Sequence, residues 1–231
     1  MPHERSRRDF LASLAVTAAA APLAGLAAPA SAAAAATAPF DDSWTARVAA
    51  AKHKAVFDGP EPSDGLPLVQ PWIYRRGYEA MGAAPRDVVP VVVLRHAAAG
   101  LALDDALWAK YKLGALRKID DPDTKKPAER NPWSRTVAGK GDRDLESVLG
   151  PGVDPTVEGV LRAGGVVLVC NLALGRVARA IASGPNGQGQ SADAVLADLR
   201  AGLVPGVLAQ PSGVYATARA QEVGAVFMRS T

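Results

Sequence analysis

The chain is poor in cysteine, histidine and aromatic residues, and each shortage closes off a class of explanation. A single cysteine, Cys170, among 231 residues cannot form an internal disulfide, so the fold has to rest on packing. Only His53 and His96 lie beyond the N-terminal region. Cys170 and His96 make a pair, but no third ligand stands at a recognisable zinc spacing. Aromatic residues are 5%, too few for a base-stacking platform. Neither sign of charge is in excess. Lys plus Arg number 26 against 23 Asp plus Glu, and the first 36 residues hold three arginines and two acids, leaving the remainder near +2. That balance gives no ground for nucleic acid or an acidic membrane surface as a partner. No serine lies in a G-x-S-x-G elbow and no lysine in a P-loop.

The N-terminus carries the strongest signal. Ser6-Arg7-Arg8-Asp9-Phe10-Leu11 precede an alanine-rich apolar stretch to about Ala28, followed by Pro29-Ala30-Ser31-Ala32. A charged start, an apolar middle and an A-x-A end are the parts of a secretory signal peptide. The S-R-R-x-F-L run, with Arg7 and Arg8 at its centre, resembles the twin-arginine (Tat) export signal, an address read by the export machinery and not an anchor. The stretch is nearly long enough to span a bilayer, but it is mostly alanine and contains Pro22 and Gly25. Cleavage is therefore expected after Ala32, with Ala34, Ala36 and Ala38 as alternatives, and no span remains after processing. Residues 1–32 are read as the signal, 33–42 as a linker and 43–231 as one domain, periplasmic or secreted. The remaining chain is long enough to enclose a full core.

Hydrophobic patterning then predicts alternating elements. A helix from Ser43 to about Lys52 leads to a strand at Lys54–Asp58, and a helix follows between Leu66 and Met81. Pro67 and Pro71 are expected to confine that helix to its later turns. Val88-Val89-Pro90-Val91-Val92-Val93-Leu94 reads as a strand covered on both faces. Pro90 suggests a strand start or a sheet edge. Asp104–Lys112 is a short helix. From about Lys118 to Gly152 a polar run dense in Pro, Asp, Lys and Gly reads as an insertion or flap, with Trp133 docking part of it on the body. Asp120-Asp121-Pro122-Asp123 within it reads as a solvated turn and not a cation site. Thr156–Ala163 is a helix, Val166–Cys170 a strand, and Asn171–Ala182 and Ala192–Ala201 are helices. Leu203–Ala209 is a strand with Pro205-Gly206 at its start. Ser212–Val223 is a helix, with Ser212 as its N-cap, and Ala225–Met228 a last strand. Gly187-Gln188-Gly189-Gln190-Ser191-Ala192 follows a helix instead of a strand, so it is a turn and not a dinucleotide loop. Strands alternating with helices imply a three-layer α/β/α sandwich around a mostly parallel five-stranded sheet.

In such sheets ligands bind beyond the carboxyl ends of the strands. Those ends carry Asp58, Arg95-His96, Cys170-Asn171 and Pro211-Ser212-Gly213, so a carboxylate, a guanidinium, an imidazole, a thiol and a hydroxyl are expected on one rim. Cys170 closes a strand and opens a helix, where the helix dipole and free amides favour a thiolate. A reactive thiol and a small buried core residue are both open readings of it. His96 is either a proton carrier or a hydrogen-bonded structural histidine.

The residues Leu161-x-x-Gly164-Gly165-Val166-Val167-Leu168-Val169-Cys170-Asn171, Val207, Pro211-Ser212-Gly213-Val214 and Gln221-x-x-Gly224-Ala225-x-Phe227-Met228 resemble the DsrE/DsrF-like family of small sulfur-relay proteins. Arg95-His96-Ala97 and Lys52-His53-Lys54-Ala55-Val56-Phe57-Asp58 are similar to stretches of its exported, uncharacterised members. The resemblance implies a flavodoxin-like fold, homo-oligomers and a strand-end cysteine, here Cys170, that carries sulfane sulfur. In that reading the Asn171 amide supports the sulfur, His96 or Arg95 holds the anion or moves the proton, and Asp58, Ser212 and Gly213 complete the binding rim. The implied ligand is a small sulfur-containing molecule, and no cofactor is implied. A non-catalytic ligand-binding or assembly module on the same rim is the alternative. The 118–152 insertion has no counterpart in the small members of the family.

Overall fold

The computed structural model describes residues 40–134 and 143–231, with the backbone alone for Arg143, Asp144 and Glu146. The signal with Arg7 and Arg8, residues 33–39 of the linker and residues 135–142 of the insertion lie outside the described residues. Ala38–Thr231 form one compact unit.

The elements, in chain order, are α1 (Trp44–Ala50), β1 (His53–Gly59), α2 (Leu66–Ala80), β2 (Val88–Leu94), α3 (Asp105–Tyr111), α4 (Leu113–Arg117), α5 (Arg143–Leu149), α6 (Val157–Arg162), β3 (Val166–Cys170), α7 (Asn171–Ala182), α8 (Ala192–Ala201), β4 (Leu208–Gln210), α9 (Gly213–Glu222) and β5 (Val226–Arg229), with short 3-10 turns between them. All four strand pairings are parallel, in the order β4-β3-β2-β1-β5. This is the expected three-layer α/β/α sandwich, with helices on both faces of a five-stranded parallel sheet.

The order explains the layers. Each step from β1 to β4 moves the same way across the sheet, and right-handed crossovers put the intervening helices on one face. The step from β4 to β5 reverses and sends α9 to the other face, beside α1. Strand side chains alternate accordingly. Val92, Leu94, Val167 and Val169 pack with Leu68, Trp72, Trp108, Leu174, Val177, Ile181 and Leu199. Val91, Val93, Val166 and Leu168 pack with Trp44, Val48, Ala216 and Ala220. At about 25 cal/mol per Å2 of apolar surface removed from water, two such layers are what replaces the missing disulfide.

Three expectations shift. Pro67 sits in the first turn of α2 and Pro71 lies inside it, yet the helix runs unbroken from Leu66 to Ala80. Pro67 costs nothing there, because first-turn amides have no helical partner. Pro90 lies inside β2, a central strand and not an edge, opposite Ala55 of β1. The β2–β3 ladder starts only at Val91 and Val166, so the missing amide of Pro90 removes no rung on that side. Pro205-Gly206 precedes the fourth strand, which is only Leu208–Gln210, and Leu203 bridges Leu103 instead.

The insertion docks as Trp133 suggested. A Cβ on Gly65 would stand 2.6 Å from the Trp133 indole nitrogen, and one on Gly114 would stand 2.2 Å from the Ala128 carbonyl. Asn131, fully buried, donates to the carbonyls of Leu101 and Leu103 at 2.9 and 2.8 Å. The Asp121 carboxylate accepts the amides of Asp123 and Thr124 at 3.0 and 2.8 Å, closing the acidic run into a turn.

Candidate functional site

The loop after β3 leaves toward one face of the sheet and the loop after β4 toward the other. Adjacent strands whose connections diverge open a crevice at their carboxyl ends, where open α/β sheets bind ligands. The walls of that crevice are the ends of β2, β3 and β4 with the first turns of α7 and α9. Arg95, His96, Cys170, Leu172, Ala173, Arg176, Ser212, Gly213 and Val214 line a pocket of about 160 Å3 there. Pockets for drug-sized ligands run to roughly 300–1,000 Å3, so this one encloses only a group of a few atoms.

Cys170 is the N-cap of α7, and its Sγ accepts the Ala173 amide at 3.3 Å. It is 7% exposed. Its sulfur therefore has one side in the apolar layer under α7 and another on the pocket. The amide that reaches the sulfur belongs to Ala173, two residues beyond Asn171. The Asn171 side chain instead accepts from Arg200 Nε at 2.8 Å.

Arg95 and Asp58 form a two-armed ion pair, Nε to Oδ1 at 2.5 Å and Nη2 to Oδ2 at 2.7 Å. The pair is mostly buried, with side chains 23% and 10% exposed. The carboxylate holds the Arg95 guanidinium above its ordinary value, burial opposes it, and the charges of Asp58 and Cys170 act with the hydrogen bonds. Asp58 thus serves the rim through Arg95. Gly213 is small for a steric reason: a Cβ there would lie 2.7 Å from Arg95 Cβ and Cδ. Ser212 caps α9 by accepting the Tyr215 amide at 3.0 Å, as its position suggested.

His96 is exposed and left-handed at φ 46°, a conformation that costs a non-glycine residue about 1 kcal/mol or more. Its carbonyl accepts from Arg117 at 3.5 Å. Two cations of this neighbourhood escaped the sequence reading. Arg176 lines the pocket two turns into α7, and among the described residues it makes no hydrogen bond or ion pair. Arg117, at the end of α4, is partly buried. Burial holds its guanidinium below the ordinary value, Glu61 opposes that, and the Arg176 charge adds to it. The i, i+3 spacing of Ala173 and Arg176 was the available signal for Arg176. Nothing local announces Arg117, which long-range folding brings in.

The strand-end residues thus converge, with Asn171 turned aside and Asp58 acting through Arg95. Among the described residues no group of three or more His, Cys, Asp or Glu side chains is placed to hold a metal ion. No family model, no curated protein and no solved structure matches the chain.

Proposed function

We propose that this is an exported DsrE-like protein that binds and transfers sulfane sulfur through Cys170. The observation that carries the reading is the placement of its sulfur. It opens on a pocket of about 160 Å3, accepts an amide at the N-terminus of a 12-residue helix, and shares the pocket with Arg95 and Arg176. A small anionic sulfur species meets there a nucleophile and positive charge together.

The chemistry balances without an outside oxidant. The Cys170 thiolate attacks the outer sulfur of a persulfide R–S–SH, the S–S bond breaks, and R–S⁻ leaves with the electron pair. Cys170 then carries –S–SH, which an acceptor thiolate takes by the same exchange in reverse. Arg95, fixed by Asp58, and Arg176 supply positive charge to the entering and leaving anions. His96, exposed at the mouth, takes the proton that the Cys170 thiol gives up and returns it to the departing R–S⁻. Association with copies of itself belongs to the same proposal and is read by light scattering.

The test is intact mass after exposure to polysulfide, beside Cys170→Ser. A reducible gain of one or more sulfur atoms, absent in the variant, is expected. A thiol that takes up no sulfur and alkylates only after unfolding makes Cys170 a packing residue, leaving the crevice as a non-covalent binding rim. Export is tested separately: replacing Arg7 and Arg8 together by lysine is expected to hold the unprocessed chain inside the cell.

A further inference from the structure

At the opposite end of the sheet, where β2 and β3 begin, four arginines surround one concavity. Arg47 of α1, Arg75 of α2, Arg86 just before β2 and Arg162 of α6 line a basin of about 430 Å3, with Ala50, Ala51, Pro85, Val88 and Val89 as its apolar floor. No carboxylate lines it. Cys170 lies at the far end of the five-residue β3, on the order of 15 Å away at a strand rise of about 3.3 Å per residue.

Part of this cationic lining has a structural role. Helix α6 ends in a Schellman turn, with Gly165 N bonded to the Val160 carbonyl at 2.8 Å and Gly164 N to the Leu161 carbonyl at 3.0 Å. The carbonyls left over are capped by guanidinium groups: Arg75 reaches Ala163, and Arg47 reaches Gly164 and Gly165. That accounts for two arginines and at the same time fixes their forks in place. Arg75 and Arg162 also have carboxylate partners, Glu79 at 2.7 Å and Asp154 at 3.1 Å. Arg86 caps nothing and, among the described residues, makes no hydrogen bond or ion pair. Two carboxylates thus pair within a set of four guanidinium groups, and the positive charge left over favours an anion in the basin.

We propose that this basin binds a small soluble oxyanion of charge −2 or more, of the phosphate or sulfate class, whose attached body rests on the Val88–Val89 floor. Guanidinium forks pair bidentately with such oxygens. Several forks approaching from different elements suit a tetrahedral or condensed group better than a planar carboxylate. A concave positive site also concentrates such anions more than an open surface does. The basin is independent of the thiol chemistry above.

The experiment is titration calorimetry of the full chain with inorganic pyrophosphate at constant ionic strength. Saturable binding to one site is expected, and Arg86→Gln is expected to weaken it by about tenfold, the loss of one charge-assisted contact. Because Arg86 makes no hydrogen bond or ion pair among the described residues and only adds positive charge to the basin, the variant's melting temperature without anion is expected not to fall below that of the parent. Three results overturn the proposal: no saturation in the millimolar range, equal affinity in Arg86→Gln, or loss of binding on Arg176→Gln, which moves the anion to the thiol crevice. Vesicles of anionic phospholipid form the last arm. Binding to vesicles with none to pyrophosphate overturns a soluble ligand in favour of a lipid headgroup.

Discussion

Asp58 and Arg95 show how a single pair can hold a rim. The carboxylate ends β1, the guanidinium follows β2, and register places Asp58 beside Val93, so both side chains reach the same corner from neighbouring strands. Removing the acid leaves the arginine mostly enclosed without its counter-ion. Asp58→Ala is therefore expected to lower unfolding stability by about 3 kcal/mol, toward the lower end of the range for broken buried pairs. Urea denaturation checks this. The variant is also expected to lose sulfur uptake at Cys170, since Arg95 no longer has a fixed position over the pocket.

At the scale of elements, α3 and α8 are joined by a polar contact at the edge of an apolar layer. The Asp198 carboxylate accepts Lys110 Nζ at 2.7 Å and the Tyr111 hydroxyl at 2.6 Å. Those hydrogen bonds hold Asp198 below its ordinary 3.8, against burial. A carboxylate whose folded value is lowered contributes stability that is complete above its unfolded value and is lost as pH falls through the folded one. Asp198→Asn is expected to lower the urea midpoint near neutrality, with a deficit that begins to shrink below about pH 4 and vanishes only once pH has fallen past the lowered folded value. A deficit that persists below the folded value points to lost packing instead. The elements are also where the sequence was most legible. The expected bounds of α7 and α8 match residue for residue, and in the structure Cys170 and Ser191 cap them over regular apolar faces. Pro90 misled because a proline's cost depends on which neighbour its nitrogen faces, a fact of sheet register. Strand ends gave the rim, but not which amide meets Cys170 or that Arg117 arrives from α4. Those depend on the turn of α7 and on the packing of the chain from residue 96 to 117. The arginine basin was invisible for the same reason: its four members are spread from residue 47 to residue 162.

For the whole molecule, stability rests on two apolar layers and no covalent link. The melting temperature is expected to be the same with and without reductant, measured by circular dichroism. A fall on reduction reveals disulfides between copies through Cys170. The sheet also separates its two ends. The thiol crevice lies at the carboxyl ends of the strands and the arginine basin at the amino ends, with the buried β2 and β3 between them.

The final strand has one more consequence. Among the described residues β5 pairs only with β1; it is exposed along its length and continues into Ser230, whose amide donates to the Asp58 carbonyl at 3.0 Å. The last described strand thus fastens the first, at the residue that steadies Arg95. Until β5 is in place β1 has one side unclaimed, an edge prone to pairing with other strands. The rim can therefore reach its finished geometry only once β5 has docked, so its completion waits on a strand far along the chain from β1.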